Sequence, residues 1–236
     1  MNILIPMAGE GSRFVEEGYT FPKPLIDVNG KPMIQAVVEN LDFNANYIFL
    51  VRKDHLEKYE GLTDTLQRIT NGKCTVVEVD SLTEGAACTA LLAKEFINND
   101  EDLLIANSDQ YIEYSPENFN LMKELTNCDA MVYTFEAVHP KWSFVKTNSR
   151  GIVTEVAEKR PISNIATCGI YWYRKGSDFV KYAEQMIEKD IRVNNEFYIA
   201  PAYNELIKDG KILVPFFVHE MWGIGTPEDL KSFLER

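Results

Sequence analysis

The chain has 236 residues, 45% of them hydrophobic, enough for one sizeable α/β domain with its own core. Its formal net charge is −12 with no basic stripe, which excludes an extended nucleic-acid surface, since phosphates need clustered lysines and arginines. No run approaches the roughly 20 consecutive apolar residues that cross a bilayer, and the N-terminus lacks a charged segment with a small-residue cleavage site, so a cytoplasmic chain with no membrane partner is expected.

In chain order, short apolar runs alternate with amphipathic segments. Ile3–Pro6, Tyr47–Val51, Thr75–Val79 and Leu103–Ala106 read as buried parallel strands. Pro32 stands where a first helical turn begins, followed by Met33, Val37 and Leu41 at helical spacing. Leu56, Tyr59, Leu62, Leu66 and Ile69 make a second helical stripe, and Glu84–Ile97 a third. This alternation implies right-handed crossovers and a Rossmann-like, mainly parallel sheet flanked by helices. After about residue 110 the texture changes. Ala130–Phe135, Phe144–Lys146, Val153–Val156 and Thr167–Tyr173 read as strands with turns between them, notably Asn148-Ser149-Arg150-Gly151, and are expected to form a small antiparallel insertion. Helices are predicted over Ser177–Lys189 and Ile199–Lys208, then a strand Ile212–Val218 and a closing helix after Pro227. No repeat or linker divides the chain, so residues 1–236 are read as a single domain. Cys74, Cys88, Cys128 and Cys168 show no paired spacing and read as small core residues.

Ligands of such sheets bind beyond the carboxyl ends of the strands, which directs attention to the loops there. With so acidic a chain, an anionic ligand must be held by a few local cations. The first strand runs into Met7-Ala8-Gly9-Glu10-Gly11-Ser12-Arg13-Phe14, where glycines let backbone N–H groups approach phosphate and a cation follows. The spacing matches neither a P-loop nor a dinucleotide fingerprint. Phe21-Pro22-Lys23-Pro24-Leu25 holds a lysine between two prolines that stiffen the backbone, and Asp27-Val28-Asn29-Gly30-Lys31-Pro32-Met33 follows as a turn.

Taken together, Gly-x-Gly-x-Arg-Phe, Pro-Lys-Pro-Leu and Gly-Lys-Pro-Met resemble the signature of the sugar-phosphate nucleotidyltransferases, the family that includes glucose-1-phosphate thymidylyltransferases and related cytidylyltransferases. The resemblance implies a nucleotide-binding half over about residues 1–110 and an acceptor-binding half over about 111–236. It implies that Met7, Ala8, Gly9, Gly11 and Ser12 wrap a nucleoside triphosphate, that Arg13 stabilises the pyrophosphate leaving group and that Lys23 contacts the phosphates at the reacting centre. Thr83-Glu84-Gly85-Ala86-Ala87 is similar to the family's base-packing segment, with Glu84 and Gly85 near the base. Asn107-Ser108-Asp109 resembles its strand-end step, with Asn107 and Ser108 beside the nucleotide and Asp109 binding Mg²⁺. Glu158-Lys159 looks like its acceptor pair, with Glu158 on hydroxyls and Lys159 on the acceptor phosphate. Gly169, inside a strand, fits a floor of that site, and Asn194-Asn195-Glu196-Phe197-Tyr198 is expected to line it.

Trp222-Gly223-Ile224-Gly225-Thr226-Pro227 resembles the family's closing motif with one departure. The usual second metal-binding aspartate falls on Gly223; Glu196 or Glu220 could substitute, Asp109 could act alone, or turnover could be lost. The implied reaction is Mg²⁺-dependent transfer of a nucleoside monophosphate to a phosphorylated acceptor, a sugar 1-phosphate first, in a pathway making polysaccharide precursors. Alternatives are a cytidylyltransferase for a small phosphorylated alcohol, a GT-A-like glycosyltransferase (which would lack its Asp-x-Asp) and an inactive nucleotide-binding relative. The base, the acceptor and any homo-oligomer are left open. His55, His139 and His219 need no catalytic role, because a phosphate nucleophile is already ionised near neutral pH.

Overall fold

The computed structural model describes residues 1–236. In the first half, β1 (Asn2–Pro6), the short helix α1 (Ser12–Glu16), a 3₁₀ turn at Lys23–Leu25 and a ribbon of β2 (Asp27–Val28) and β3 (Lys31–Pro32) lead into α2 (Met33–Leu41). Next come β4 (Asn46–Arg52), α3 (Lys53–Lys58), α4 (Leu62–Ile69), β5 (Cys74–Val79), α5 (Ala86–Leu91), α6 (Lys94–Ile97) and β6 (Leu103–Ala106). The second half runs β7 (Gln110–Glu113), α7 (Pro116–Thr126), β8 (Ala130–Glu136), β9 (Ser143–Thr147), β10 (Val153–Glu158), β11 (Ile165–Tyr173), α8 (Gly176–Glu188), α9 (Ala202–Lys208), β12 (Leu213–Phe217), β13 (Glu220–Gly223) and α10 (Pro227–Leu234).

Nine strands form one sheet in the order β10-β9-β11-β6-β1-β4-β5, with β8 on β11 and β12 on β8. The pairings make β11 and β10 antiparallel to the other seven, so the sheet is mainly parallel. The antiparallel strands expected as an insertion therefore add to the central sheet through β11, while β2–β3 and β7–β13 are small antiparallel pairs outside it. The core follows from the pleat. Side chains alternate between faces, so Ile3 and Ile5 enter one apolar layer with α2, α4, α7 and α10, and Leu4 enters the other with α5, α6, α8 and α9. All three are fully buried, each worth about 1.5–3 kcal/mol, which makes β1 a rigid base for the loop it feeds. No helix is long and apolar enough to cross a membrane.

Three predicted helices differ in their bounds. The stripe from Leu56 to Ile69 is two helices, broken around Glu60-Gly61, both presenting apolar residues to the same layer. The third begins at Ala86 rather than Glu84, because Gly85 is held in an extended, positive-φ conformation against another segment, and it breaks again at Leu92-Ala93. The helix expected from Ile199 starts at Ala202, after Pro201 at its N-cap. Helix α7, unrecognised in the sequence, carries ordinary start signals: the Ser115 hydroxyl accepts from the Asn118 N–H and Pro116 opens the helix.

The site-forming feature is a fork on β11. β8 takes one edge of β11 at both ends, through residues 165–167 and 171–173. The other edge is shared: β6 pairs with residues 170–173 and β9 with Ala166. Between them the ladder opens at Thr167–Gly169, and the loop that leaves β6 runs over the gap.

Candidate active site

Two cavities meet at this fork and share Ala86 and Asn107 in their walls. The first, of about 320 Å³, lies between the loop after β1 and the segment before α5. Met7, Ala8, Gly9 and Gly11 line it, as do Lys23, Gly85, Asn107, Ser108 and Asp109. The prolines of the 3₁₀ turn bring Lys23 under the glycine loop, where a Cβ on Gly11 would sit 3.1 Å from Lys23 Cβ. From there the Lys23 ammonium donates a short hydrogen bond to Asp109, both side chains about a quarter exposed (22% and 24%) and so open to a ligand. Asp109 is fixed in turn by its backbone carbonyl, which accepts from the Ile224 N–H at 2.9 Å.

Gly225 completes this arrangement. A Cβ there would collide with the Asp109 carboxylate and lie 3.3 Å from the Lys23 ammonium. Gly225 is a functional position the sequence reading passed over, although it belongs to the closing motif already singled out. Gly169 plays a similar part at the fork, with φ +71° and no room for a Cβ beside the amides of Asn107 and Gln110.

The second cavity, of about 270 Å³, lies over the opened ladder and contains Glu158, Lys159 and Gly169. Ser143 opens β9 directly opposite Glu158 at the end of β10, and its hydroxyl donates a short hydrogen bond to that carboxylate. Burial pushes the Glu158 carboxyl above the usual range, against the opposing pull of Ser143 and Lys159. Burial disfavours charge on Lys159 too, but a hydrogen bond to the Tyr198 hydroxyl (2.5 Å) and the acids Glu158 and Glu196 outweigh it and raise its pKa. The second cavity holds another cation the sequence did not point out. Lys141 lies 4.6 Å from the Trp142 ring centroid and 3.4 Å from Asp229.

The raised Glu158 pKa carries a stability sign. The folded chain binds this proton more tightly than the unfolded one, so the contribution is present at low pH and is lost as pH rises through the folded pKa. Glu158→Gln is therefore expected to melt above the wild type at pH 8, with the gap closing toward pH 5. The same change weakens any ligand whose hydroxyls need a carboxylate acceptor. Melting curves at the two pH values check the first statement.

Several expected residues stand elsewhere. Ser12 and Arg13 are exposed on α1 and line neither cavity. Glu84 turns away from the first cavity and pairs with Arg192 at 2.7 Å; Ser81, Leu82, Thr83 and Thr89 face that cavity instead. Glu196 lines the first cavity rather than the second, while Tyr198 lines the second. At Gly223 the side of a missing Cβ is bounded by the Asp229 carboxylate at 3.5 Å and the Trp142 ring at 3.8 Å. Glu220 lines neither cavity and sits at the far end of β13, opposite Glu113.

The model of the nucleotidyl transferase family matches residues 3–235. The bifunctional protein GlmU of Methanocaldococcus jannaschii is 28% identical over 216 residues, which is 90% of this chain and 48% of the relative. The low-salt glycan biosynthesis nucleotidyltransferase Agl11 of Haloferax volcanii is 26% identical over 94% of this chain and 62% of its own length. The chain thus spans about half the length of the curated relatives it matches. Among solved structures, the nucleoside-diphosphate-sugar pyrophosphorylase of Vibrio cholerae RC9 superposes with a TM-score of 0.84 at 25% identity, covering 99% of this chain and all of that one (100%). With a glycine loop, a strand-end acid and a second, lysine-bearing cavity in one sheet, and a family model spanning nearly every residue, this chain belongs to the nucleotidyl transferase family.

Proposed function

We propose that the chain transfers a nucleoside monophosphate from a nucleoside triphosphate to a phosphorylated acceptor, a sugar 1-phosphate first, and releases pyrophosphate. The observation that carries this reading is the Lys23–Asp109 pair, set in the nucleotide-side cavity beside Asn107, where that cavity adjoins the one holding Lys159 and Lys141. In the reaction an acceptor phosphate oxygen forms a bond to the α-phosphorus and the bond from that phosphorus to the bridging oxygen breaks. The pyrophosphate leaves with the bridging electron pair. Such transfer depends on alignment and charge neutralisation more than on covalent help from the protein. Lys23 meets the phosphates at the reacting centre, Lys159 and Lys141 hold the nucleophile, and Glu158 accepts from acceptor hydroxyls. Arg13, exposed at the start of α1, reaches the departing pyrophosphate from the rim; its bidentate geometry makes Arg13→Lys costly.

The donor set suits a magnesium ion carried in by the nucleotide. Two carboxylates, Asp109 and Glu196, line the cavity, with Asp109 beside Ser108 and Asn107, and no cluster of three or more His, Cys, Asp or Glu side chains forms a cage. Magnesium is commonly held by one or two carboxylates together with substrate phosphates. Asp109 would hold it, and it would supply charge neutralisation on the phosphate oxygens. Because its substrate is a nucleoside triphosphate, we place the reaction in the cytoplasm, with the sugar nucleotide feeding polysaccharide synthesis.

The test is pyrophosphate release with each common nucleoside triphosphate against sugar 1-phosphates and small phosphorylated alcohols. Release requiring one nucleotide and one sugar 1-phosphate supports the reading. Release only with a phosphorylated alcohol moves the acceptor class. Nucleotide binding with no release across the panel favours a relative without turnover.

A further inference from the structure

Residues 192–198 form a hairpin whose wall belongs to both cavities. Val193 and Glu196 exchange both backbone hydrogen bonds at 3.0 Å around Asn194 and Asn195, both with positive φ as a tight two-residue turn requires. Glu196 then faces the first cavity and Tyr198 the second. Resting on the nucleotide and acceptor assignments above, we propose that this hairpin is a strap that transmits nucleotide binding to the acceptor site, with Arg192 and Glu84 as the positioning pair that latches it.

The strap is joined to the nucleotide side by backbone. The Phe197 N–H donates to the Glu84 carbonyl at 2.8 Å, and the Ala87 N–H donates to the Phe197 carbonyl at 2.9 Å. Gly85 lies between them with its backbone pressed onto Phe197. Any shift of the Thr83–Ala87 wall therefore moves Phe197 and its neighbour Tyr198, whose hydroxyl holds Lys159. Around this stitch the Arg192 guanidinium collects four contacts: Glu84 at 2.7 Å, Asp190 at 2.5 Å, the Asn195 carbonyl at 3.3 Å, and the Phe197 ring centroid at 4.0 Å. One exposed ion pair does little, but these converge on a single planar group that spans the hairpin's base, its tip and the opposite wall. That geometry explains why Glu84, at the edge of the nucleotide cavity, points away from it.

Hydrogen–deuterium exchange on the full chain tests this, using an equimolar mixture of the four ribonucleoside triphosphates and dTTP with Mg²⁺, and no acceptor. In the wild type, nucleotide is expected to slow exchange at residues 7–11 and also at 192–199, including Tyr198. The effect at Tyr198 should be about fivefold or more, the lower end of ordinary site-to-site coupling. In Arg192→Ala and in Glu84→Gln, slowing at 7–11 persists and slowing at Tyr198 is lost. Equal slowing at Tyr198 in both variants overturns the latch. Protection at 7–11 with none at Tyr198 in the wild type overturns the strap while leaving the nucleotide site standing. No protection at either segment removes the nucleotide reading itself, and the strap with it.

Discussion

Asp109→Asn is expected to lower turnover about a thousandfold, equivalent to about 4 kcal/mol of transition-state stabilisation, while the chain stays folded. Asparagine keeps the shape that packs against Gly225 and keeps the backbone bond to Ile224, so the loop after β6 remains in place. What is lost is the acid that pairs with Lys23 in the glycine-loop cavity, which leaves that lysine without its counter-charge. Nucleotide affinity falls far less than turnover, because the loop after β1 is untouched. Gly225→Ala reaches the same end from the other side, since its methyl collides with the Asp109 carboxylate. Steady-state rates beside thermal melts separate the two contributions. An Asp109→Asn enzyme within tenfold of wild type contradicts the assignment.

Gly85→Ala carries the second large effect, in this case on stability as well as rate. The added Cβ would lie 2.5 Å from the Phe197 carbonyl oxygen and 2.6 Å from its nitrogen, and φ at this position is +131°, where a side chain is strained. The wall and the hairpin must part, which breaks the two backbone bonds between them. A loss of about 2–4 kcal/mol follows from the strain and the broken bonds, or about 5–15 °C in melting temperature for a chain of this size. Both substrate KM values rise together, because one wall serves both cavities. A variant that melts as the wild type does refutes the packing at Gly85.

The parts of the site legible in the sequence are those fixed by neighbours in the chain. β1 is apolar on both faces because it is buried on both, and its end therefore had to lead to a loop at the sheet's carboxyl edge. Lys23 stood out because two prolines constrain it, and Asp109 because the step after the apolar run Leu103–Ala106 resembles the family's strand-end motif. The fork on β11 was half legible: Gly169 inside a strand signalled close approach, but not that β6 and β9 share an edge. Residues whose role depends on a partner far along the chain were not legible. Glu84 was expected near the base from the family resemblance, whereas its direction is set by Arg192, and Lys141, positioned by Asp229 and Trp142, gave no signal in the sequence. In the closing motif, comparison with the family's pattern drew attention to the aspartate missing at Gly223, while the contact with Asp109 belongs to Gly225 two residues on. The start of the helix expected from Glu84 was missed for the same reason: Gly85 is tied to Phe197, so the helix begins late, at Ala86.

The central claim concerns which phosphorus is transferred, and label transfer tests it most directly. With the nucleotide and acceptor found by the screen, one reaction carries label at the α-phosphorus and a parallel one at the γ-phosphorus. Nucleotidyl transfer predicts that α-label enters a phosphatase-resistant product containing the acceptor and that γ-label appears only in pyrophosphate. Label from the γ-position in the acceptor, or α-label that remains in free nucleotide while acceptor is consumed, would contradict it.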